Sequence, residues 1–143
     1  MHSTSEKLIF FSHEFTVSEK DTDRNGHVNN VVYVQWMQDV AIMHSTASGG
    51  TKAMRNSGCI WVVRSHKIEY LSPSFAGDMV EATTWVAKYH RVKAIRQYRF
   101  LRKSDGKILA KGETEWVCID AEKGKPRTIP ETVQKCFHPA DNT

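Results

Sequence analysis

The fold is decided by residues 28–48, VNNVVYVQWMQDVAIMHSTAS. Apolar residues recur there at spacings of three and four, the period of an α-helix, at Val28, Val31, Val32, Trp36, Val40 and Met43. Other apolar residues leave only a narrow polar stripe, so we expect this helix to be buried on nearly all sides. Asn29 or Asn30 would cap its start, and Gly49-Gly50 would end it.

The segments on either side of this helix have the alternating pattern of β-strands. One strand is predicted before it at residues 10–19, and four follow at 60–71, 79–90, 92–102 and 107–120. Short connections rich in Gly, Pro, Ser and Asp should make neighbouring strands antiparallel. Strands of about 11 to 14 residues are roughly twice the usual length, and a twisted sheet of such strands must curl around something. The apolar helix is the available filling, which predicts an α+β domain with a long five-stranded antiparallel sheet.

Composition sets the class of protein. The 143 residues, 40% hydrophobic and 25% charged, are typical of one globular domain over 1–143, with its core at about 10–120 and a tail at 124–143. The net charge of +4 comes from basic residues interleaved with acids, so we expect no nucleic-acid partner. No apolar run has the length of a signal peptide or a membrane span, which favours a cytoplasmic protein without a membrane partner. Three scattered cysteines, with no Cys/His spacing for zinc, are expected to be free thiols.

A polar cluster directly before the helix holds the residues best suited to chemistry: Asp21, Asp23, Asn25, His27, Asn29 and Asn30. A helix N-terminus carries unpaired N–H groups and partial positive charge, which can hold a carbonyl oxygen as it becomes negative. A carboxylate beside it can activate water or attack the carbonyl. This pattern therefore indicates an acyl-transfer or hydrolytic site.

The same residue types also form ordinary turns and helix caps, so a capping turn is the alternative interpretation of the cluster. A calcium loop fits less well. Gly26 falls at its sixth position, but Val32 stands at the twelfth, where such a loop needs a bidentate Glu.

The run Asp21–Tyr33, DTDRNGHVNNVVY, resembles the DxDxxGHVNNxxY signature of hotdog-fold thioesterases, in the acyl-CoA thioesterase and 4-hydroxybenzoyl-CoA thioesterase superfamily. Residues 68–73, IEYLSP, followed by Gly77-Asp78, are similar to a second landmark of that family. The resemblance covers about residues 10–120. It implies a single hotdog domain that hydrolyses acyl thioesters, acyl-CoA to free acid and CoA. Because a thiolate is a good leaving group, we expect no metal and no cofactor.

The resemblance also implies roles for individual residues. Asp23 matches the catalytic carboxylate, and the backbone N–H at Asn30 would polarise the thioester carbonyl. The plant acyl-carrier-protein thioesterases, with DxDxNxHVNN, resemble this run still more closely and imply that Asn25 and His27 orient water or the carbonyl. The sequence departs from the family at Gln38, where many relatives have a helix Glu, and it has no acid at 73–75 to match the plant enzymes.

Several expectations remain at the level of hypothesis. Asp23 could act as general base or as nucleophile, and the thioester could be carried by coenzyme A or by acyl-carrier protein. The domain could instead bind acyl thioesters without turning them over, or act as a hotdog dehydratase. Tyr33 is assigned to substrate binding, and Arg91 and Lys93 to the phosphates of coenzyme A. Open sheet edges predict a homodimer or a homotetramer with sites between subunits.

Overall fold

A computed structural model describes residues 9–137. Within these residues lie five strands, three helices and one short 3₁₀ turn at Glu19–Asp21. The strands and helices are, in chain order, β1 (Phe10–Thr16), α1 (Asn30–Ser48), α2 (Gly50–Asn56), β2 (Cys59–Tyr70), β3 (Met79–His90), β4 (Lys93–Arg102), β5 (Ile108–Asp120) and α3 (Glu131–Gln134).

All five strands form one antiparallel sheet in the order β1-β3-β4-β5-β2. This confirms the predicted α+β architecture, and β2 to β5 begin and end within a residue of the predicted bounds. β1 is shorter than predicted and ends at Thr16, because the chain turns away from the sheet and winds into the 3₁₀ turn.

The sheet packs against α1, whose side chains Tyr33, Met37 and Val40 are buried in the main core. The small residues of β5 lie where the helix approaches most closely. A Cβ on Gly112 would come within 2.9 Å of both the Sδ and the Cε of Met37. The lack of a side chain at Gly112 therefore allows α1 to approach β5 this closely.

One side of α1 remains open in the single chain. Val31 is 70% exposed and Ile42 is 61% exposed, although both are apolar. The expectation that the helix is buried on nearly all sides is wrong for one chain, because the sheet covers only one side of it. The exposed stripe runs through Val31, Gln35 and Ile42.

The last described segment, 126–137, closes the end of the molecule where α1 finishes. α3 buries Val133, and Phe137 packs in a second core cluster with Met54 of α2. Cys118 is a buried free thiol, and burial raises its pKa to about 12. In the part of the chain that the structure describes, no helix combines the length and hydropathy needed to cross a membrane.

Candidate active site

The loop before α1 folds around the carboxylate of Asp23. Its Oδ1 accepts hydrogen bonds from the backbone N–H of Asn25 at 2.9 Å and of His27 at 3.1 Å. The Asp23 N–H donates to the His27 carbonyl at 2.7 Å, and the turn passes through Gly26 at φ +79°, a conformation that favours glycine. The capping turn considered from sequence is therefore present. It occupies one oxygen of Asp23, while Oδ2 accepts no hydrogen bond from any residue in 9–137.

The start of α1 supplies a free donor next to this carboxylate. The Asn29 side chain caps the helix by accepting from the Val31 N–H at 3.2 Å, as one of the two predicted caps. The Asn30 N–H, in the first helical position, donates to no acceptor within 9–137. It lines the same cleft as Asp23.

This cleft has a volume of about 280 Å³ and lies between the loop before α1 and the connection from β2 to β3. One wall is formed by Asp23, His27, Val28, Asn30 and Tyr33. The opposite wall is formed by residues 70–74. A carboxylate, a free helix N–H and a histidine ring thus border one small volume, which is what acyl transfer to water requires.

Hydrogen bonds between the two walls hold the cleft together. The Ser74 carbonyl accepts from the Val28 N–H at 2.9 Å, and the Ser74 and Tyr33 hydroxyls lie 3.0 Å apart. Tyr70 donates its hydroxyl to the Asn30 carbonyl at 3.0 Å. Burial raises the pKa of Tyr33, so this phenol stays protonated at neutral pH.

The ring of His27 packs edge-on against Phe75, with ring centroids 5.1 Å apart. Arg102 at the end of β4 secures the segment that carries Phe75. Its Nη1 donates to the Pro73 carbonyl at 3.0 Å and to Asp78 Oδ2 at 3.2 Å, and Asp78 Oδ2 accepts from the Phe75 N–H. The position of the His27 ring therefore depends on Phe75, whose segment is held in place by Arg102 of β4.

Four of the predicted site residues, Asp23, His27, Asn30 and Tyr33, lie together on the cleft. Asn25 takes part through its backbone N–H on Asp23, and its side chain is not in the lining.

Arg91 and Lys93 follow the far end of β3, whose twelve residues span up to about 40 Å from the cleft side. Lys93 pairs with Glu115 there at 3.7 Å, and the Arg91 carbonyl accepts from the Ile129 N–H. One chain does not bring these two side chains to the cleft.

Gln38 stands on α1 where many relatives have a glutamate, and Asp39 is the carboxylate next to it. Neither Gln38 nor Asp39 lines the cleft, and Asp39 accepts from Gln35 on the helix surface at 2.8 Å. Asp39 therefore does not replace that acid within one chain. Among residues 9–137, no three His, Cys, Asp or Glu side chains group closely enough to hold a metal ion.

Sequence reasoning missed the second wall of the cleft. Tyr70 and Ser74 belong to the landmark around 68–78, but no local pattern indicated that they would contact the start of α1. The two walls are joined by a long-range pairing, in which residues 27 and 28 bond to residues 74 and 75, more than forty positions later in the chain. A pairing over this distance leaves no local pattern in the sequence.

Comparisons with known proteins show which family the chain belongs to. A model of the thioesterase-like superfamily matches residues 17–137. Acyl-CoA thioester hydrolase YbgC of Escherichia coli is 26% identical over 117 residues, 80% of this chain and 85% of that protein. The chloroplastic acyl-[acyl-carrier-protein] hydrolase FATB2 of Cuphea viscosissima is 26% identical over 140 residues, 92% of this chain. The match spans only 34% of the length of that plant protein.

Solved structures share the fold. Slr0204, a 1,4-dihydroxy-2-naphthoyl-CoA thioesterase from Synechocystis, has a TM-score of 0.79 at 19% identity, covering 89% of this chain and 94% of that one. SAV2348 from Staphylococcus aureus, solved in complex with CoA, has a TM-score of 0.81 at 20% identity, covering 89% and 80%. These likenesses confirm the predicted hotdog fold. With the family model matching most of its length, the chain belongs to the thioesterase-like superfamily.

Proposed function

We propose that this protein hydrolyses acyl thioesters to a carboxylic acid and a thiol. The observation that carries the proposal is the pairing of Asp23 with the start of α1. One oxygen of Asp23 is fixed by two backbone N–H groups, its second oxygen is open, and the free Asn30 N–H lines the same cleft. Membership of the thioesterase-like superfamily supports the same reaction class.

The thioester carbonyl oxygen would accept a hydrogen bond from the Asn30 N–H. Negative charge develops on this oxygen during attack, and the partial positive charge of the helix N-terminus stabilises it. The 19 residues of α1 supply an aligned helix dipole at this point. The Asn29 cap holds the first turn in place.

Asp23 would supply the attack. As general base, it takes a proton from water while the oxygen of that water bonds to the carbonyl carbon, and the tetrahedral intermediate expels the thiolate, which recovers the proton. As nucleophile, it displaces the thiolate to form a mixed anhydride that water then hydrolyses. His27, held against Phe75, would orient water or the carbonyl in either route.

We propose acyl-CoA as the preferred substrate and acyl-carrier-protein conjugates as the alternative. The bacterial relative named as an acyl-CoA thioester hydrolase matches over 85% of its own length, whereas the plant carrier-protein hydrolase matches over about a third. The cleft between residues 23–33 and 70–74 would receive the thioester end of the substrate. Contact of Arg91 and Lys93 with the CoA phosphates stays a prediction.

We also propose a twofold dimer whose subunits together complete each cleft. β2 is an open edge of the sheet with exposed Ile60 and Val62, and α1 leaves Val31 and Ile42 uncovered. Burying such edges and apolar side chains between two copies would stabilise the assembly.

The test is release of free thiol from short, medium, long and aromatic acyl-CoAs and from acyl-carrier protein. We expect saturable release from at least one acyl-CoA by the wild type, and its loss in a folded Asp23→Ala variant. Asp39→Asn is the matched control, because Asp39 lies outside the cleft, and it should keep wild-type activity. A wild-type protein that binds acyl-CoA but releases no thiol from any substrate would contradict hydrolysis and favour an acyl-thioester-binding protein.

A further inference from the structure

A second pocket, of about 240 Å³, opens beside the C-terminal half of α1 and shares no lining residue with the cleft. Its helix side includes Ala41, Ile42 and Ser45. Ser45 is fifteen residues along α1 from Asn30, which separates the two positions by about 22 Å along the helix axis. Aromatic side chains make up much of the opposite wall, namely Trp61, Tyr89, Trp116 and Phe137.

Among the described residues, this lining holds one charged side chain, Arg96, and no carboxylate. Arg96 is only 5% exposed. Its Nη1 donates to His44 Nδ1 at 2.9 Å and to Thr84 Oγ1 at 3.1 Å. Its guanidinium carbon lies 5.3 Å from the centroid of the Phe137 ring. No Asp or Glu within 9–137 forms an ion pair with it.

A buried guanidinium without an anionic partner is unusual. Burying a charge is unfavourable unless an opposite charge and hydrogen bonds compensate for the lost water. Arginine has five N–H donors and stays protonated, yet only Nη1 donates within the described chain. Burial lowers the pKa of Arg96, which reflects the same uncompensated charge. An anion that enters the pocket would compensate for the buried positive charge of Arg96.

The walls limit what that anion can be. Apolar and aromatic surfaces favour a ligand with an apolar body, and a single guanidinium suits one carboxylate through two parallel N–H···O bonds. The volume of about 240 Å³ limits the ligand to a single short chain or a single ring. We propose that this pocket binds a short apolar monocarboxylate, with its carboxylate on Arg96 and its apolar body against the aromatic wall.

This proposal does not depend on the proposed hydrolysis, because it rests on Arg96 and not on Asp23. A free acid is nevertheless the class of compound that thioester hydrolysis produces. The pocket would therefore accept a product-like molecule at a site separate from the cleft.

The test uses octanoate and its uncharged counterpart 1-octanol, with binding followed by calorimetry and by tryptophan fluorescence, since Trp61 and Trp116 line the pocket. Octanoate should bind the wild type saturably and at least tenfold more tightly than octanol. Arg96→Met should abolish that preference. The matched control is Arg99→Met, which removes the same charge from an exposed position on the same strand and should keep the preference.

Ser45→Leu serves as a second variant, because it narrows the pocket from α1 and leaves Arg96 in place. It should weaken octanoate at least tenfold, and it decides the outcome if Arg96→Met does not fold. The proposal is overturned if folded wild type does not bind octanoate, if it binds octanoate and octanol equally, or if folded Arg96→Met keeps the preference for octanoate. If Arg96→Met does not fold, wild-type octanoate binding by Ser45→Leu overturns it.

Discussion

Asp23 shows at the scale of a single residue how one side chain can serve a turn and a site together. Its Oδ1 closes the loop by accepting two backbone N–H groups, and its Oδ2 stays open at the cleft. The two interpretations taken from sequence, a capping turn and an acyl site, therefore do not exclude each other. The turn fixes the orientation in which the open oxygen could act.

Arg102 gives the first prediction, because it ties the second wall of the cleft to β4. Besides its bonds to Pro73 and Asp78, it makes two bonds of 3.1 Å to the Asp105 carboxylate. Arg102→Met should lower the free energy of unfolding by about 1–2 kcal/mol through these lost hydrogen bonds. It should also reduce kcat/KM, because the segment carrying Phe75 is released. Chemical denaturation and thiol release measure the two effects.

The control and the pH dependence make this prediction specific. Lys103→Met removes a neighbouring exposed ion pair with Glu14 and should change neither quantity measurably. Bonds from Arg102, and then from the Lys107 N–H, lower the pKa of Asp105. A lowered pKa stabilises the fold above the ordinary carboxylate pKa of about 4, and this contribution disappears as the pH falls through the lowered value. A stability gap between wild type and Arg102→Met that does not narrow at any acidic pH where both proteins still fold would contradict the role of this pair.

At the scale of elements, the start of α1 is the point on which the site depends. Asn29→Ala removes the side-chain cap on the Val31 N–H and should lower the free energy of unfolding by about 1 kcal/mol. Asn29→Asp keeps an acceptor and should behave like the wild type. Urea denaturation of the three proteins measures their free energies of unfolding. Equal values for wild type and Asn29→Ala would show that the cap contributes nothing to stability.

The contact between α1 and β5 gives a packing prediction. An alanine at Gly112 would place its Cβ 2.9 Å from the end of the buried Met37 side chain. Gly112→Ala should therefore lower the free energy of unfolding by about 1–3 kcal/mol, as overpacking does. The penalty should shrink in a Met37→Ala background, where the space is free, and a double-mutant cycle measures this coupling. Independent, additive effects of the two changes would contradict direct contact.

The whole molecule has uncovered apolar surface on α1 and an open edge at β2. We predict that a dimer covers them, with twice the 16.3 kDa mass of one chain. Ile60→Lys/Val62→Lys should lower the mass measured by sedimentation equilibrium, because charge on an edge strand opposes pairing. A wild-type protein that sediments as a monomer at all concentrations tested would rule out the dimer.

Much of this architecture was predictable because its signals are local. The helical period around Trp36 and the strand alternation up to Asp120 identified α1 and all five strands. The run from Asp21 to Tyr33 identified one wall of the cleft. The other wall was not predictable, because the bonds from Ser74 and Tyr70 to the start of α1 depend on how the sheet curls. The same curl explains why Val31 and Ile42 are exposed, which the apolar pattern of α1 did not predict.

The most direct test of catalysis by Asp23 is kcat/KM for thiol release by Asp23→Asn. Asparagine keeps the Oδ1 acceptor for the Asn25 and His27 N–H groups, so the loop should persist, but its side chain cannot act as a base or a carboxylate nucleophile. We predict a fall of about 10²- to 10⁴-fold with an unchanged unfolding midpoint, while Asp21→Asn in the same loop stays active. Wild-type kcat/KM in Asp23→Asn would contradict a catalytic role and leave Asp23 as a turn residue only.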